Sequence, residues 1–401
     1  NVPNEPKDCA ANKICYFPNA GNTVADRMGD QSISSSTTII TLWASNFERP
    51  GYGFAGWSDA YDYVVNEGSE SNPDAHIYGP NEAIEFTAGT YSATNGGLRL
   101  YAVWVPSAGS LQSWSGCSTL GEGKVTALTD ERDNDTYAVA KLTDGKCWMI
   151  ENLRLDTADS LDATKSSTGA YDGKFSGLAN PETAYFDNTT TANSRYKSDG
   201  SNDTYDAALG TLTDIGVDSD SGYRMPRYRN DNTSTPVANM SGANQNVYSY
   251  GNYYTWHSAI AGTANITSAT TSLCPTGWRL PRGGNKSNEA NNEIWNLVVN
   301  ELNGGTKPAN YDSSTYPYYN GATEVNPVNK KIRKYPNNFL YSGDIYGSSV
   351  NNRGSYGVYW SSTAYGSSSA YYLGFESLRF YVGATYVYRS NGYALRCVFG
   401  S

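Results

Sequence analysis

The clearest alternation of apolar and polar positions lies near the end of the chain, between residues 341 and 401. Apolar and polar residues roughly alternate over 370–375 and again over 380–388, and Gly and Ser interrupt the runs. A period of two residues is typical of strands with one buried face, and the interrupting residues favour tight turns. The pattern predicts short antiparallel strands, with Trp360 and Cys397 as structural positions at their flanks.

The rest of the chain contains both helical and strand periods. Helical spacing appears over 289–302, where Ile294, Leu297, Val298 and Leu302 recur, and a shorter helix is predicted near 254–261. Strands are predicted over 14–17, 39–43, 98–104, 125–128, 137–142 and 147–153. Strands outnumber helices, so the predicted fold class is α+β and β-rich.

Changes in composition divide the chain into segments. Residues 1–12 form a polar arm, and residues 13–105 form a small module with large aromatic side chains at Phe47, Tyr52, Phe54 and Trp57. Residues 106–110 are predicted to be a short linker. A larger domain follows over 111–401, with a polar insertion at about 156–221 that has few apolar residues.

The cysteine count indicates an oxidising compartment. The six cysteines are an even number without a CxxC motif, and they fall as three sequential pairs. Six cysteines allow fifteen pairings, and the predicted disulfides join neighbours in the sequence. These pairs are Cys9 with Cys15, Cys117 with Cys147, and Cys274 with Cys397. Disulfides predict an extracellular, cell-surface protein; no apolar run reaches the roughly twenty residues of a membrane helix, so an anchor is expected outside this chain.

Residues 13–105 resemble a known family. The segments CYFPNAG, RPGYGFAGW and LYAVW occur in this order, and together they resemble the Listeria–Bacteroides repeat family of bacterial surface proteins over residues 13–105. The resemblance implies a small β-grasp-like module that serves as a spacer. One departure is a polar insert at 58–85, which is longer than in the usual repeat.

A second resemblance covers residues 111–401. The segments that carry it are LTDERDNDTYAVAKLTDGKCWMIENLRL, YGNYYTWHSAI, LCPTGWRLPR, GVYWSSTA and YALRCV. In this order they resemble the Fibrobacter succinogenes major paralogous domain, which has a C-type-lectin-like fold. The resemblance implies two helices beside a twisted antiparallel sheet, large loop insertions, and a disulfide that supports the pairing of Cys274 with Cys397. Members of this family occur on secreted and outer-surface bacterial proteins.

The terminal strands are the candidate binding face. Tyr, Ser and Gly are abundant there, and recognition loops use these residues for adaptable contacts. Eight aromatic rings exceed what one side of a sheet can bury, so about half are expected in the core and the rest at the surface. The candidate binding residues are Tyr365, Ser367, Tyr371, Tyr372, Phe375, Phe380, Tyr381, Tyr386 and Tyr388.

The same segment resembles the variable region of proteins diversified by retroelements. Those systems randomise adenines, and an Asn codon that varies in this way cannot encode Lys, Glu, Gln, Met or Trp. Between residues 361 and 396 only Glu376 belongs to that excluded set. The resemblance implies that the candidate binding residues, apart from Tyr381, are diversified and that Trp360 and Cys397 are fixed.

The predicted function is binding and adhesion, with a protein or glycan ligand on another cell or host surface. A different class of function is a structural subunit that self-associates into a surface filament or coat. A secreted hydrolase is the third alternative, but His76 and His257 lie in different modules and oxidised cysteines leave no thiol nucleophile, so no enzyme is predicted.

Charge and acidic residues bear on partners and ions. The net charge of −10 argues against nucleic acid as a partner. Asp218 and Asp220 alternate with serines as calcium ligands do, and they are the first candidates for a metal site. Turn chemistry explains Asp in such loops equally well, and no other cofactor is predicted.

Overall fold

The computed structural model describes a large part of the chain. The described residues are 8–19, 28–61, 65–66, 69–70, 76–92, 96–132, 134–154, 223–224, 248–251, 253–254, 256–260, 272–284, 292–303, 331–346, 349–366, 369–376, 380–389 and 391–400. The candidate residues Asp218, Asp220 and Ser367 lie outside them, as does the predicted insertion at 156–221. The predictions for these residues therefore stay predictions.

The described chain is rich in β-strands and has few helices, which confirms the predicted class at this coarse level. The strands of the first half are β1 (Lys13–Phe17), β2 (Gln31–Ser32), β3 (Ile39–Thr41), β4 (Tyr52–Ser58), β5 (Val65–Asn66), β6 (Ser69–Glu70), β7 (Ile77–Tyr78), β8 (Ala83–Glu85), β9 (Leu98–Ser110), β10 (Val125–Thr129), β11 (Thr136–Lys141) and β12 (Cys147–Met149). Those of the second half are β13 (Tyr223–Arg224), β14 (Tyr253–Tyr254), β15 (Trp278–Arg279), β16 (Asp344–Tyr346), β17 (Ser349–Asn351), β18 (Tyr356–Tyr365), β19 (Ser369–Glu376), β20 (Phe380–Tyr388) and β21 (Val398–Phe399).

The described residues include the α-helices α1 (Trp256–Ile260) and α2 (Glu293–Asn303), and residues 331–333 are helical as well. The side-chain oxygen of Asn292 accepts a hydrogen bond from the Trp295 N–H, at 2.9 Å, and so caps the start of α2. The apolar side chains at Ile294, Leu297 and Val298 are buried, as the helical spacing predicts. Neither helix is long and apolar enough to cross a membrane.

One sheet runs through both the predicted module (13–105) and the predicted domain (111–401). Its strand order is β15-β21-β12-β11-β10-β9-β1-β2, and β4 pairs with β9 and β7 beside this path. The long strand β9 pairs with β1 near its start and with β10 near its end, in parallel in both cases. Residues 106–110, which we predicted to be a linker, are therefore the end of β9, because Ser107 and Ser110 pair with Ala127 and Thr129.

The module and the domain also share a hydrophobic core. Val103 and Val105 of β9 and Ala55 of β4 belong to the same buried cluster as residues of β10, β11 and α2. A Cβ atom at Gly53 would lie 2.4 Å from the backbone nitrogen of Ala138, so only glycine allows β4 to approach β11 this closely.

Three disulfides join the cysteines in the predicted order. They are Cys9–Cys15, Cys117–Cys147 and Cys274–Cys397, and no cysteine is free. The last of them closes 123 residues of chain, and it ties the segment before β15 to the segment before β21. The pairing confirms the prediction from cysteine order, and it is consistent with an extracellular protein.

The terminal strands form a separate antiparallel sheet in the order β18-β19-β20. Trp360 anchors it: the ring is fully buried, stacks on Tyr393 at 4.4 Å, and donates a hydrogen bond from Nε1 to the Tyr254 carbonyl at 2.7 Å. A bridge between Tyr359 and Ala394 connects β18 to the segment that leads into β21. The sheet is thereby fixed against the main core on the side of Trp360.

Candidate ligand-binding face

The strand register brings four tyrosines to one side of the terminal sheet. Tyr365 of β18 lies opposite Ser369 of β19, which lies opposite Tyr388 of β20. Tyr371 lies opposite Tyr386 one alternation further along. Side chains that are directly opposite, or two residues apart, share a side of the sheet. We refer to Tyr365, Tyr371, Tyr386 and Tyr388 as the tyrosine face.

Three of these four rings reach the solvent. Tyr365, Tyr386 and Tyr388 are 42%, 48% and 61% exposed, and they are the exposed large hydrophobic residues of the described chain. Tyr371 is only 6% exposed, because the rings of Tyr365 and Tyr386 contact it at centroid distances of 5.5 and 6.4 Å. The face is thus an outer layer of exposed rings above one buried ring.

The tyrosine side chains of the face carry no charge at neutral pH. Burial raises the pKa of Tyr371 above its ordinary value. A hydrogen bond with Tyr365 raises the pKa of Tyr386 as well. Both phenols therefore stay protonated at neutral pH, and their hydroxyl groups can donate and accept hydrogen bonds.

The same side of the sheet is covered further along β19. Leu373 and Phe375 follow Tyr371 at alternate positions, and they are buried in one cluster with Ile294, Leu297 and Val298 of α2. Phe375 also packs on Tyr341 at a centroid distance of 5.5 Å. Helix α2 therefore covers one half of this side, and the tyrosine face is the half that it leaves open.

This arrangement corrects two of the predicted binding residues. Phe375 is fully buried against Tyr341 and Tyr359, in the cluster that also contains the apolar residues of α2, so it belongs to the core. Tyr372 points to the opposite side from Tyr371, where it packs on Tyr393 and shares a hydrogen bond of 3.3 Å with the Tyr356 hydroxyl. Burial raises the pKa of Tyr372 to about 12. Both residues were candidates because eight aromatic rings are too many for one side of a sheet to bury, and the sequence does not show which of them are buried.

The remaining candidates lie elsewhere. Tyr381 is half-buried, and its ring meets Tyr356 edge-on at 6.5 Å, away from the tyrosine face. Phe380 begins β20, but its side chain lies outside the described residues, as does Ser367. The structure therefore brings together four of the nine predicted residues.

Segment 281–284 supports the rim of the face. Gly283 and Thr363 exchange two hydrogen bonds, from the Gly283 N–H at 3.1 Å and from the Thr363 hydroxyl at 3.0 Å. A Cβ atom at Gly283 would lie 2.6 Å from the Ser361 Oγ and 3.2 Å from the Tyr371 Cβ, so glycine is needed here. The exposed side chain of Arg282 is next to this contact in the sequence.

Arg389 is a positioning residue that the sequence analysis did not identify. Its buried guanidinium lies over the Trp256 ring at 4.3 Å. It donates from Nε to the Ser369 carbonyl at 3.1 Å and from Nη2 to the Gly366 carbonyl at 2.8 Å. It therefore fixes the backbone on both sides of the β18–β19 turn. The only signal in the sequence is a charged residue directly after the alternating run of β20.

Within the described part of the chain, no group of three or more His, Cys, Asp or Glu residues lies together. The buried Asp130 is paired with the Arg132 guanidinium at 2.5 Å and accepts a hydrogen bond from Gln112. Asp218 and Asp220 are not described, so calcium binding by them stays a prediction.

Comparison of the chain with family models, with curated proteins and with solved structures finds no match. The two family resemblances and the C-type-lectin-like fold therefore remain expectations from the sequence.

Proposed function

We propose that this chain is a non-enzymatic, extracellular cell-surface binding protein whose tyrosine face takes a protein ligand. The observation that carries the proposal is the set of three exposed tyrosines on an open half of a sheet whose other half is covered by α2. Exposed aromatic patches on otherwise well-packed proteins mark interaction sites. Tyrosine is also among the residues that dominate the binding energy of protein interfaces.

A protein ligand fits this face better than a nucleic acid or a small molecule. The rings stand on the side of a sheet and carry no charge, and the centres of protein interfaces are depleted of charged residues and enriched in tyrosine. Small ligands are bound in concave pockets that bury most of their surface. The acidic net charge of −10 also disfavours nucleic acid.

The scaffold suits a display role. Disulfides, the buried Trp360 and the Arg389 hydrogen bonds hold the strands, while the exposed rings contribute little to the core. The C-type-lectin-like fold and diversification by a retroelement are part of this proposal. Among the described candidates, Tyr365, Tyr386 and Tyr388 are exposed, as residues that vary would be, whereas Tyr372 and Phe375 are buried.

The test uses the full chain and a variant that carries Tyr365→Ser, Tyr386→Ser and Tyr388→Ser. The wild type is screened against arrayed extracellular proteins and arrayed glycans, and the affinity of each binder is then measured for both chains. We expect at least ~30-fold weaker binding by the variant, since interface tyrosines contribute about 2 kcal/mol or more. Tyr52→Ser, a half-buried tyrosine on β4, is the matched control and should bind as the wild type does.

Three outcomes would contradict the proposal. One is a protein ligand that binds the triple variant as tightly as the wild type. Another is binding to arrayed glycans only, which would assign the face to sugars. The third is concentration-dependent assembly of the wild type that the variant loses, which would favour the filament or coat subunit.

A further inference from the structure

Tyr365 and Tyr386 form an unusually close pair within the tyrosine face. Their ring centroids are 3.6 Å apart and the ring planes differ by 13°. The two residues belong to β18 and β20, which are not neighbours, because β19 lies between them. The stacked pair therefore reaches across the central strand, above the edge-on ring of Tyr371.

The two rings lie face to face in direct contact. With centroids 3.6 Å apart and planes that differ by 13°, ring carbons of one phenol lie against ring carbons of the other. Tyrosyl radicals couple at the carbons ortho to the hydroxyl groups. The stack therefore holds two rings that can couple against each other.

Solvent exposure gives a reagent access to both rings. Tyr365 is 42% exposed and Tyr386 is 48% exposed, whereas Tyr371 beneath them is 6% exposed. The chain also carries three disulfides and no free cysteine, as expected of a protein in an oxidising compartment. No thiol of this chain would therefore compete for an oxidant.

We propose that Tyr365 and Tyr386 are a modification site at which oxidation joins the two rings as dityrosine. The oxidant is hydrogen peroxide acting through a haem peroxidase. Each phenol gives one electron to the peroxidase and its hydroxyl proton to water, and the two radicals form a carbon–carbon bond between their ortho carbons. The ring hydrogens at these carbons then move to the oxygens, which restores both phenols. The two electrons and two protons reduce one hydrogen peroxide to two waters.

The bond would tie the edge strand β20 to β18 over the central strand. It would restrict the motion of two of the three exposed rings without changing the core beneath them. A rigid recognition surface loses less conformational entropy when it binds, so the cross-link would pre-organise the tyrosine face. The chemistry itself does not depend on which ligand the face takes.

The experiment treats the dilute full chain with a haem peroxidase and hydrogen peroxide. Peptide mapping should find the peptides of Tyr365 and Tyr386 joined, with a mass lower by two hydrogen atoms, in chains that migrate as monomers. Tyr386→Phe keeps a stacked ring but cannot form the radical, so the variant should lose this species and its dityrosine fluorescence. Tyr388→Phe removes the more exposed hydroxyl of the face and should keep both.

Several results would overturn the proposal. These are a wild type that forms no dityrosine, one that couples only between molecules, and one whose internal link includes Tyr388 instead. Equal internal cross-linking in Tyr386→Phe would overturn it as well. Because Tyr386 is exposed and phenylalanine retains the ring, far-ultraviolet circular dichroism should be unchanged in the variant, and a loss of cross-linking then reports the chemistry.

Discussion

At the scale of single residues, two carboxylates beside α2 have pKa values that shift in opposite directions. Burial disfavours the charged form of Glu293, but the Arg279 guanidinium donates two hydrogen bonds of 2.6 Å and lowers the pKa of Glu293 to about 2. Asp144 accepts hydrogen bonds from Trp148 Nε1 and the Lys146 N–H, each at 3.0 Å, yet burial raises its pKa to about 6.

Asp144 should make the protein less stable as the pH rises from about 4 to about 6. In this window the folded chain holds the Asp144 proton and the unfolded chain releases it, so the free energy of unfolding falls with pH. After a discount for partial exposure, we expect a loss of about 1–2 kcal/mol. Urea denaturation at the two ends of the window measures it.

Asp144→Asn should flatten this part of the pH profile, because the amide does not ionise. Glu122→Gln, at an exposed position, should leave the profile unchanged. An unaltered fall of stability between about pH 4 and about pH 6 in Asp144→Asn would show that another group is responsible. Glu293 does not confound the result, since its stabilising contribution is lost only as the pH falls from about 4.5 towards about 2.

The sequence predicted aromatic residues on the terminal strands but not which of them the fold buries. Tyr371 and Tyr372 were both predicted binding residues, yet they point to opposite sides of the sheet, as neighbouring residues of a strand do. The alternation does not distinguish Tyr371 from Phe375, which lie on the same side. Whether each ring is buried in the core depends on tertiary contacts with segments far away in the sequence, such as α2.

At the scale of secondary-structure elements, strand β9 shows how pairing overrides composition. The segment VPSAGS at its end has a proline, a glycine and small polar residues, which are typical of a linker. Ser107 and Ser110 nevertheless pair with β10, and the Ser107 hydroxyl shares a hydrogen bond of 2.7 Å with Thr129. The partner strand is distant in sequence, so no local pattern could have predicted this extension.

Each of the three disulfides should stabilise the fold more, the longer the loop of chain that it closes. The sequence separations are 6 for Cys9–Cys15, 30 for Cys117–Cys147 and 123 for Cys274–Cys397. The loop-entropy relation then gives losses of roughly 2, 4 and 5 kcal/mol for the three double Cys→Ala variants.

Chemical denaturation of these variants checks the order. The Cys9 and Cys15 pair serves as the internal control, because it closes the shortest loop. If its loss costs more stability than the loss of Cys274–Cys397, the entropy of the closed chain is not the main source of the stabilisation.

At the scale of the whole molecule, Glu151 of the domain connects it to the module. Its side chain is buried, and one carboxylate oxygen accepts hydrogen bonds from the Phe54 N–H at 3.0 Å and from the Ala138 N–H at 2.6 Å. The other oxygen pairs with Arg154 at 3.0 Å. Burial raises the pKa of Glu151, and the Arg154 charge opposes this shift.

Replacement of Glu151 should therefore destabilise the module and the domain together. Glu151→Ala leaves two buried N–H groups without their acceptor and removes a partner of Arg154, and we expect a loss of about 3–5 kcal/mol. Glu122→Ala is the exposed control. Hydrogen exchange read by mass spectrometry follows the module through the amides of β4 and the domain through those of β18. A loss confined to one of them would show that the module and the domain fold independently.

Hydroxyl-radical footprinting of the full chain, with and without a protein binder from the screen, tests directly whether the tyrosine face is the ligand-binding surface. We expect the binder to protect Tyr365, Tyr386 and Tyr388 from oxidation and to leave Tyr52 unchanged. Unchanged oxidation of the three exposed tyrosines in the saturated complex, with protection at another surface, would show that the ligand binds elsewhere.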